Sequence, residues 1–139
     1  MLLANAAATL FMVGLAWFVD VVHYPLFAAV GPTDFARYHA AHSRRTTWVV
    51  LPTMSLELAT SLALAVDPPG DERVLAVTGA VLAAATWVLT GASAVPAHRG
   101  LGEGFSEEGL RLLRKVDLTR ALVWTAHGIV VVALLATQV

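Results

Sequence analysis

Four runs of mostly apolar residues, about Leu3 to Phe27, Thr46 to Val66, Val74 to Val95 and Leu118 to Thr137, constrain this chain more than any other feature. At a helical rise of about 1.5 Å per residue, each can cross a hydrocarbon core of about 30 Å. A backbone facing lipid must satisfy its own hydrogen bonds, so such runs fold as helices. Composition agrees. Charged residues make up 14% of the chain, where a soluble domain carries about 25%, and mean hydropathy is +0.71. The 139 residues suffice for one compact domain, 1–139. The expected fold is all-α: an integral membrane four-helix bundle with two short juxtamembrane helices.

The net charge of −1 gives no ground for a nucleic-acid partner. The absence of cysteine excludes disulfides, thiolate metal sites and cysteine nucleophiles. The N-terminal stretch MLLANAAATLF has no Lys or Arg, so a retained helix is expected there rather than a cleaved signal. Pro25 and Pro52 should each bend or end a helix, and Pro96 should stop the third. Between the apolar runs lie an amphipathic stretch from Gly31 to Arg45 that Thr33 or Asp34 would cap, a turn around Pro68-Pro69-Gly70, and a Gly-rich loop from Arg99 to Gly104. That loop leads into a short helix capped by Ser106. Lys and Arg collect on the first and third connections, which the positive-inside rule places in the cytoplasm of a bacterial inner membrane, with both termini outside. Small residues recur along the third helix at Gly79, Ala83 and Gly91. They suit close bundle packing, with a homo-oligomer face as the alternative.

The polar residues fall in one stripe per helix. Trp17, Asp20 and Tyr24 share a face beside His23. Thr46, Thr53, Glu57 and Ser61 align on the second run, and Thr86, Thr90 and Ser93 on the third beside Trp87. Asp117, Arg120, Trp124 and His127 align on the fourth. Ionisable groups in lipid are expensive and usually face a bundle interior. The stripes should therefore converge on a cavity open toward the cytoplasmic leaflet. Counted by rise, Glu57 and His127 share a depth near the midplane and form its floor, with Asp20 and Arg120 shallower.

A His beside a carboxylate can move a proton near neutral pH. Glu57, His127, Asp20, Arg120 and His98 are the candidate catalytic residues. Arg120 would hold developing negative charge. Trp17, His23, Tyr24, Trp87, Thr90 and Trp124 are candidates to bind a lipophilic substrate. Structural alternatives stand beside these roles. Asp20 could pair with Arg120 as an internal staple, Glu57 could be a protonated carboxyl bonded to a Thr, and His127 a satisfied core histidine. The deep Trp residues could be packing, and Asp117 a charge at a helix N-terminus. No cofactor is expected. The alternative is a metal ion or haem, because His39 and His42 stand at i and i+3 and His23 and His98 could complete a site.

The segment Val95-Pro96-Ala97-His98-Arg99-Gly100-Leu101, then an amphipathic helix, then a helix opening with Arg120, resembles the anthrone oxygenase-like family of small four-helix bacterial membrane proteins. That family has a Pro-x-Asn-x-x-Leu segment followed by a distant Arg. His98 stands where the family usually has Asn. Tyr24-Pro25-Leu26-Phe27 and Leu51-Pro52 fit the same layout. The resemblance implies a four-helix bundle and cofactor-independent oxidation of aromatic polyketide carbanions, and it carries over His98 and Arg120 by position.

Three functions follow as expectations. In the first, a membrane enzyme takes a lipophilic small molecule (aromatic polyketide, quinone or isoprenoid) and oxidises, oxygenates, isomerises or cyclises it. The second is a His-based metal- or haem-binding redox protein. The third is a small oligomeric transporter or accessory subunit.

Overall fold

The computed structural model describes residues 1–138 as four long helical rods. The first begins with α1 (Leu2–Phe18) and continues through a wide π-helical turn, Val19–His23, and a tight 3₁₀ turn, Pro25–Ala29. α2 (Pro32–Val66) is one unbroken helix. The third rod is α3 (Arg73–Leu89), a second π-helical turn at Thr90–Ala94, and α4 (Val95–Gly102). α5 (Glu107–Ala136) is the fourth. The rods run 28, 35, 30 and 30 residues, and all are long and apolar enough to cross a membrane. Thirty residues reach about 45 Å, the full bilayer with its headgroups.

The two amphipathic stretches are not separate helices. They are the first turns of α2 and α5, because nothing at Arg45–Thr46 or Lys115–Val116 breaks helical backbone. Gly31, ahead of Pro32, occupies the N-cap position of α2 in place of Thr33 or Asp34, and Asp34 pairs with exposed Arg37 at 2.9 Å. Ser106 does cap α5, accepting from the Gly109 N–H at 3.0 Å. Ser106→Ala should cost about 1 kcal/mol of stability, read from detergent-phase thermal unfolding.

Pro25 stands near the end of the first rod as expected, opening its last 3₁₀ turn, whereas Pro96 and Pro52 do not end theirs. Pro96 does not stop the third rod, and the expected Gly-rich loop is helical to Gly102. A proline lacks an N–H and crowds the carbonyl four residues back, and a widened turn just before it relieves both. The Tyr24 N–H accordingly reaches Val19 O at 2.9 Å, and the Val95 N–H reaches Thr90 O. Pro52 sits exposed inside α2 and does not end it. Gly70 turns the chain between α2 and α3 at φ 58°, which favours a residue without Cβ.

Three apolar layers stack along the bundle. Tyr24, Phe27, Phe35, Leu101 and Leu113 fill the end carrying the first and third connections. Met12, Ala16, Met54, Ala121 and Trp124 fill the middle, and Leu64, Ala76 and Leu134 the far end. The outer surface carries Leu10, Phe11, Phe18, Leu56, Leu62, Val81, Val88, Leu122 and Ile129, all exposed. A soluble bundle hides such residues; this one presents them outward, as contact with acyl chains requires. The chain is a helical bundle suited to the membrane.

Candidate functional site

The interior holds two polar clusters at different depths. In the deeper one, Glu57 and His127 meet as their matched depths predict. The Glu57 Oε1 to His127 Nδ1 distance is 2.8 Å, and both side chains are 0% exposed. The Trp124 indole N–H donates to both carboxylate oxygens, at 3.1 and 3.0 Å. Asn5 ties in the first rod, its amide donating to Glu57 O, Thr60 Oγ1 and Ser61 Oγ. His127 Nε2 lies 3.5 Å from Ser61 Oγ. The cluster joins α1, α2 and α5 through bonds that satisfy one another. The space beside it, about 10 Å³ bounded by Asn5, Ser61 and Gly79, is the size of one water.

The cavity lies elsewhere. About 610 Å³ opens between α2 and the third rod, in the size range of sites for small organic ligands. Its floor includes Met54, three residues and so about one helical turn short of Glu57. Glu57 and His127 therefore do not form the cavity floor. They are sealed beneath it, because Met54 and Trp124 pack across the bundle at that level.

The polar end of the cavity is built by Tyr24, just after the first π-helical turn, by His98 on α4 and by the start of α2. Tyr24 Oη is 3.0 Å from His98 Nε2, and His98 Nδ1 is 3.1 Å from His39 Nε2. The pattern is satisfied when the Tyr24 O–H donates to His98 and the His98 N–H donates to His39. His42 Nδ1 lies 2.8 Å from His23 Nε2 and 3.3 Å from the Thr46 hydroxyl. The rings of Phe27 and Phe35 pack edge-on and stacked against these imidazoles. The widened turn ahead of Pro25 matters here: it sets Tyr24 inward, 3% exposed, while Val21 and Val22 stay outside.

Arg120 completes this end. Its partner is Asp117, at 2.7 Å on the same helix, rather than Asp20. Asp117 is accordingly a mid-helix ion-pair partner and not a helix N-terminal charge. The guanidinium also sits 4.9 Å from the Trp124 ring centroid, a cation–π contact. Its Nε is buried with no protein partner. Asp20 is buried, at 7% exposure.

Of the residues singled out from sequence, Tyr24, Thr90, His98 and Arg120 line the cavity, and so do His39 and His42. Asp20, His23, Glu57, His127 and the three deep tryptophans do not. The tryptophans bind helices together instead. Trp17 donates to Thr125 Oγ1 at 2.9 Å, Trp87 to Met54 O at 3.2 Å, and Trp124 to Glu57. Sequence reasoning missed the pairing of Asp117 with Arg120, although their i, i+3 spacing on one helix announces it. It also missed Ser43, whose buried hydroxyl oxygen at the cavity wall lacks a protein partner.

No family model matches the chain, and no curated protein or solved structure matches it either.

Proposed function

We propose that the chain is a membrane-embedded enzyme acting on a lipophilic small molecule of the aromatic polyketide, quinone or isoprenoid class. The observation that carries the reading is the gathering of unsatisfied buried polar atoms around one cavity. His42 Nε2, Ser43 Oγ and Arg120 Nε all lack a protein partner, and all three residues line it. Buried polar groups are nearly always hydrogen-bonded, so three unpartnered ones just behind the wall of one cavity favour a polar ligand head that draws them out on binding. The apolar wall of Val50, Leu51, Met54 and Ala94 suits the rest of such a molecule. The exposed rim residues Leu51 and Val95 offer an entrance from the acyl-chain side.

The chemistry is acid–base-assisted oxidation or oxygenation, or isomerisation or cyclisation. Tyr24, His98 and His39 form a hydrogen-bonded line along which a proton can pass from an acidic C–H or O–H of the substrate. Arg120 then stabilises the enolate or phenolate left behind. For an anthrone with dioxygen as oxidant, the balance is anthrone plus O₂ giving anthraquinone and water. The basic residues near this end, Arg44, Arg45, Arg99, Arg111, Arg114 and Lys115, support a cytoplasmic-side site by the positive-inside rule, with both termini opposite. Glu57 and His127 serve as the anchor beneath the site rather than as its proton carriers.

The test is equilibrium dialysis of anthrone and of a short-chain quinone against the detergent-solubilised chain, with empty micelles as reference. Binding above the reference is expected, lost in Val50→Trp, whose indole fills the cavity, while that variant keeps the parent's unfolding temperature. Binding equal to empty micelles, or undiminished in Val50→Trp, refutes the reading.

A further inference from the structure

We propose that His39, His42 and His98 hold one divalent transition-metal ion at the polar end of the cavity, with a coordination position left open toward it. The inference rests on the cavity being the reactive site; with an ion bound, the His98–His39 hydrogen bond is replaced and the ion's open position would take over proton handling from that line, and ion binding is measured separately.

Three imidazoles from two rods face one another here. Their ring centroids stand 5.3 Å apart for His39 and His98, 5.8 Å for His42 and His98, and 6.3 Å for His39 and His42. Nitrogens bound to one ion at about 2.0–2.1 Å lie roughly 3.0–3.4 Å from each other. The 3.1 Å between His98 Nδ1 and His39 Nε2 already falls in that range. Among the described residues no group of three donor side chains is already placed to hold an ion, and the third ring to be drawn in is that of His42. Its Nε2 is the free one: buried and unpartnered.

The outer contacts fit as well. A metal-bound imidazole characteristically gives its second nitrogen to a neighbouring polar group, which fixes ring and tautomer. His98 would bind through Nδ1 while its Nε2–H donates to Tyr24 Oη, at the 3.0 Å already present. His42 would bind through Nε2 while its Nδ1–H donates to His23 Nε2 or Thr46 Oγ1. The proton that His98 Nδ1 gives to the His39 bond moves to His98 Nε2 as the ion enters, and the Tyr24 hydroxyl turns from donor to acceptor. Arg120 and Arg99, which line the cavity, oppose a cation, and Asp117 offsets Arg120 by pairing with it. An all-imidazole set suits zinc, cobalt, nickel, copper or iron. A three-His site with an open position is also the arrangement that activates a bound water or polarises a carbonyl.

Purified full-length chain, freed of metal by chelator and then dialysed with cobalt(II) or zinc, tests this by elemental analysis and cobalt ligand-field absorption. One ion per chain is expected, with a cobalt spectrum of low-coordinate nitrogen ligation. His42→Gln and His98→Gln should weaken binding by more than about tenfold. Tyr24→Phe, which keeps the packing and removes only the hydroxyl behind His98, should weaken it by about 10–100-fold. Equal ion uptake by wild type and all three variants overturns the proposal. So does a chain that takes up no ion yet still binds anthrone, an outcome that leaves the cavity reading standing.

Discussion

His127→Ala is expected to lose about 3–5 kcal/mol of stability, the scale for stranding one partner of a buried pair. Glu57 would keep the Trp124 N–H but face an empty space where the imidazole stood, and at 0% exposure no solvent reaches it. The double replacement Glu57→Leu/His127→Leu should recover only part of that loss: two apolar side chains remove the desolvation cost along with the pair, but the buried Trp124 N–H is left without its acceptor, at a cost of about 1–3 kcal/mol. Reversible unfolding in detergent, followed by tryptophan fluorescence, reads both; Trp124 touches the pair directly. The opposite pattern would return these residues to catalysis: His127→Ala as stable as the parent, with turnover abolished.

That the two side chains would meet was legible from residue counting alone. Glu57 and His127 stand at equal rise along antiparallel helices, and an interior that excludes water lets neither go unpaired. Where open space lies was not legible. Whether Met54 and Trp124 close the bundle below the cavity depends on how two large side chains from different helices fit, and periodicity carries no volume information at that level. The imidazole cluster was half legible. His39 and His42 declare a shared face by spacing, but joining them to His23 and His98 requires the wide turn before Pro25 and the passage of the third rod through Pro96. Sequence rules treat a proline as a stop, whereas each of these is accommodated by a π-helical turn that keeps the rod going and re-aims its side chains. Arg120 was legible as a buried cation but not with its partner. A cross-helix ion pair with Asp20 looked attractive by depth, yet Asp117 one turn away reaches it without any tertiary requirement.

The same pairing determines what Arg120→Gln should do. One guanidinium nitrogen, Nη1, is committed to Asp117 at 2.7 Å, and the plane rests near the Trp124 face, so the group is held in place with Nε still unspent. A fixed donor of this kind costs little reorganisation when charge develops beside it, and removing one typically lowers turnover by about 10²–10³. On the proposed reading, oxidation of anthrone, followed as anthraquinone absorbance, should fall by that factor in kcat, with a smaller change in KM, since a neutral substrate engages Arg120 less than its enolate does. Arg120→Lys should not restore the rate. An ammonium is a point charge without the planar fork, and it cannot satisfy Asp117 and a ligand oxygen from opposite edges. Arg120→Gln/Asp117→Asn separates this role from folding, because it removes the stranded carboxylate and should recover stability without recovering kcat. If kcat returns together with stability, Arg120 acts as a staple for Asp117 and the charge-stabilising role passes to the imidazoles of α2 and α4.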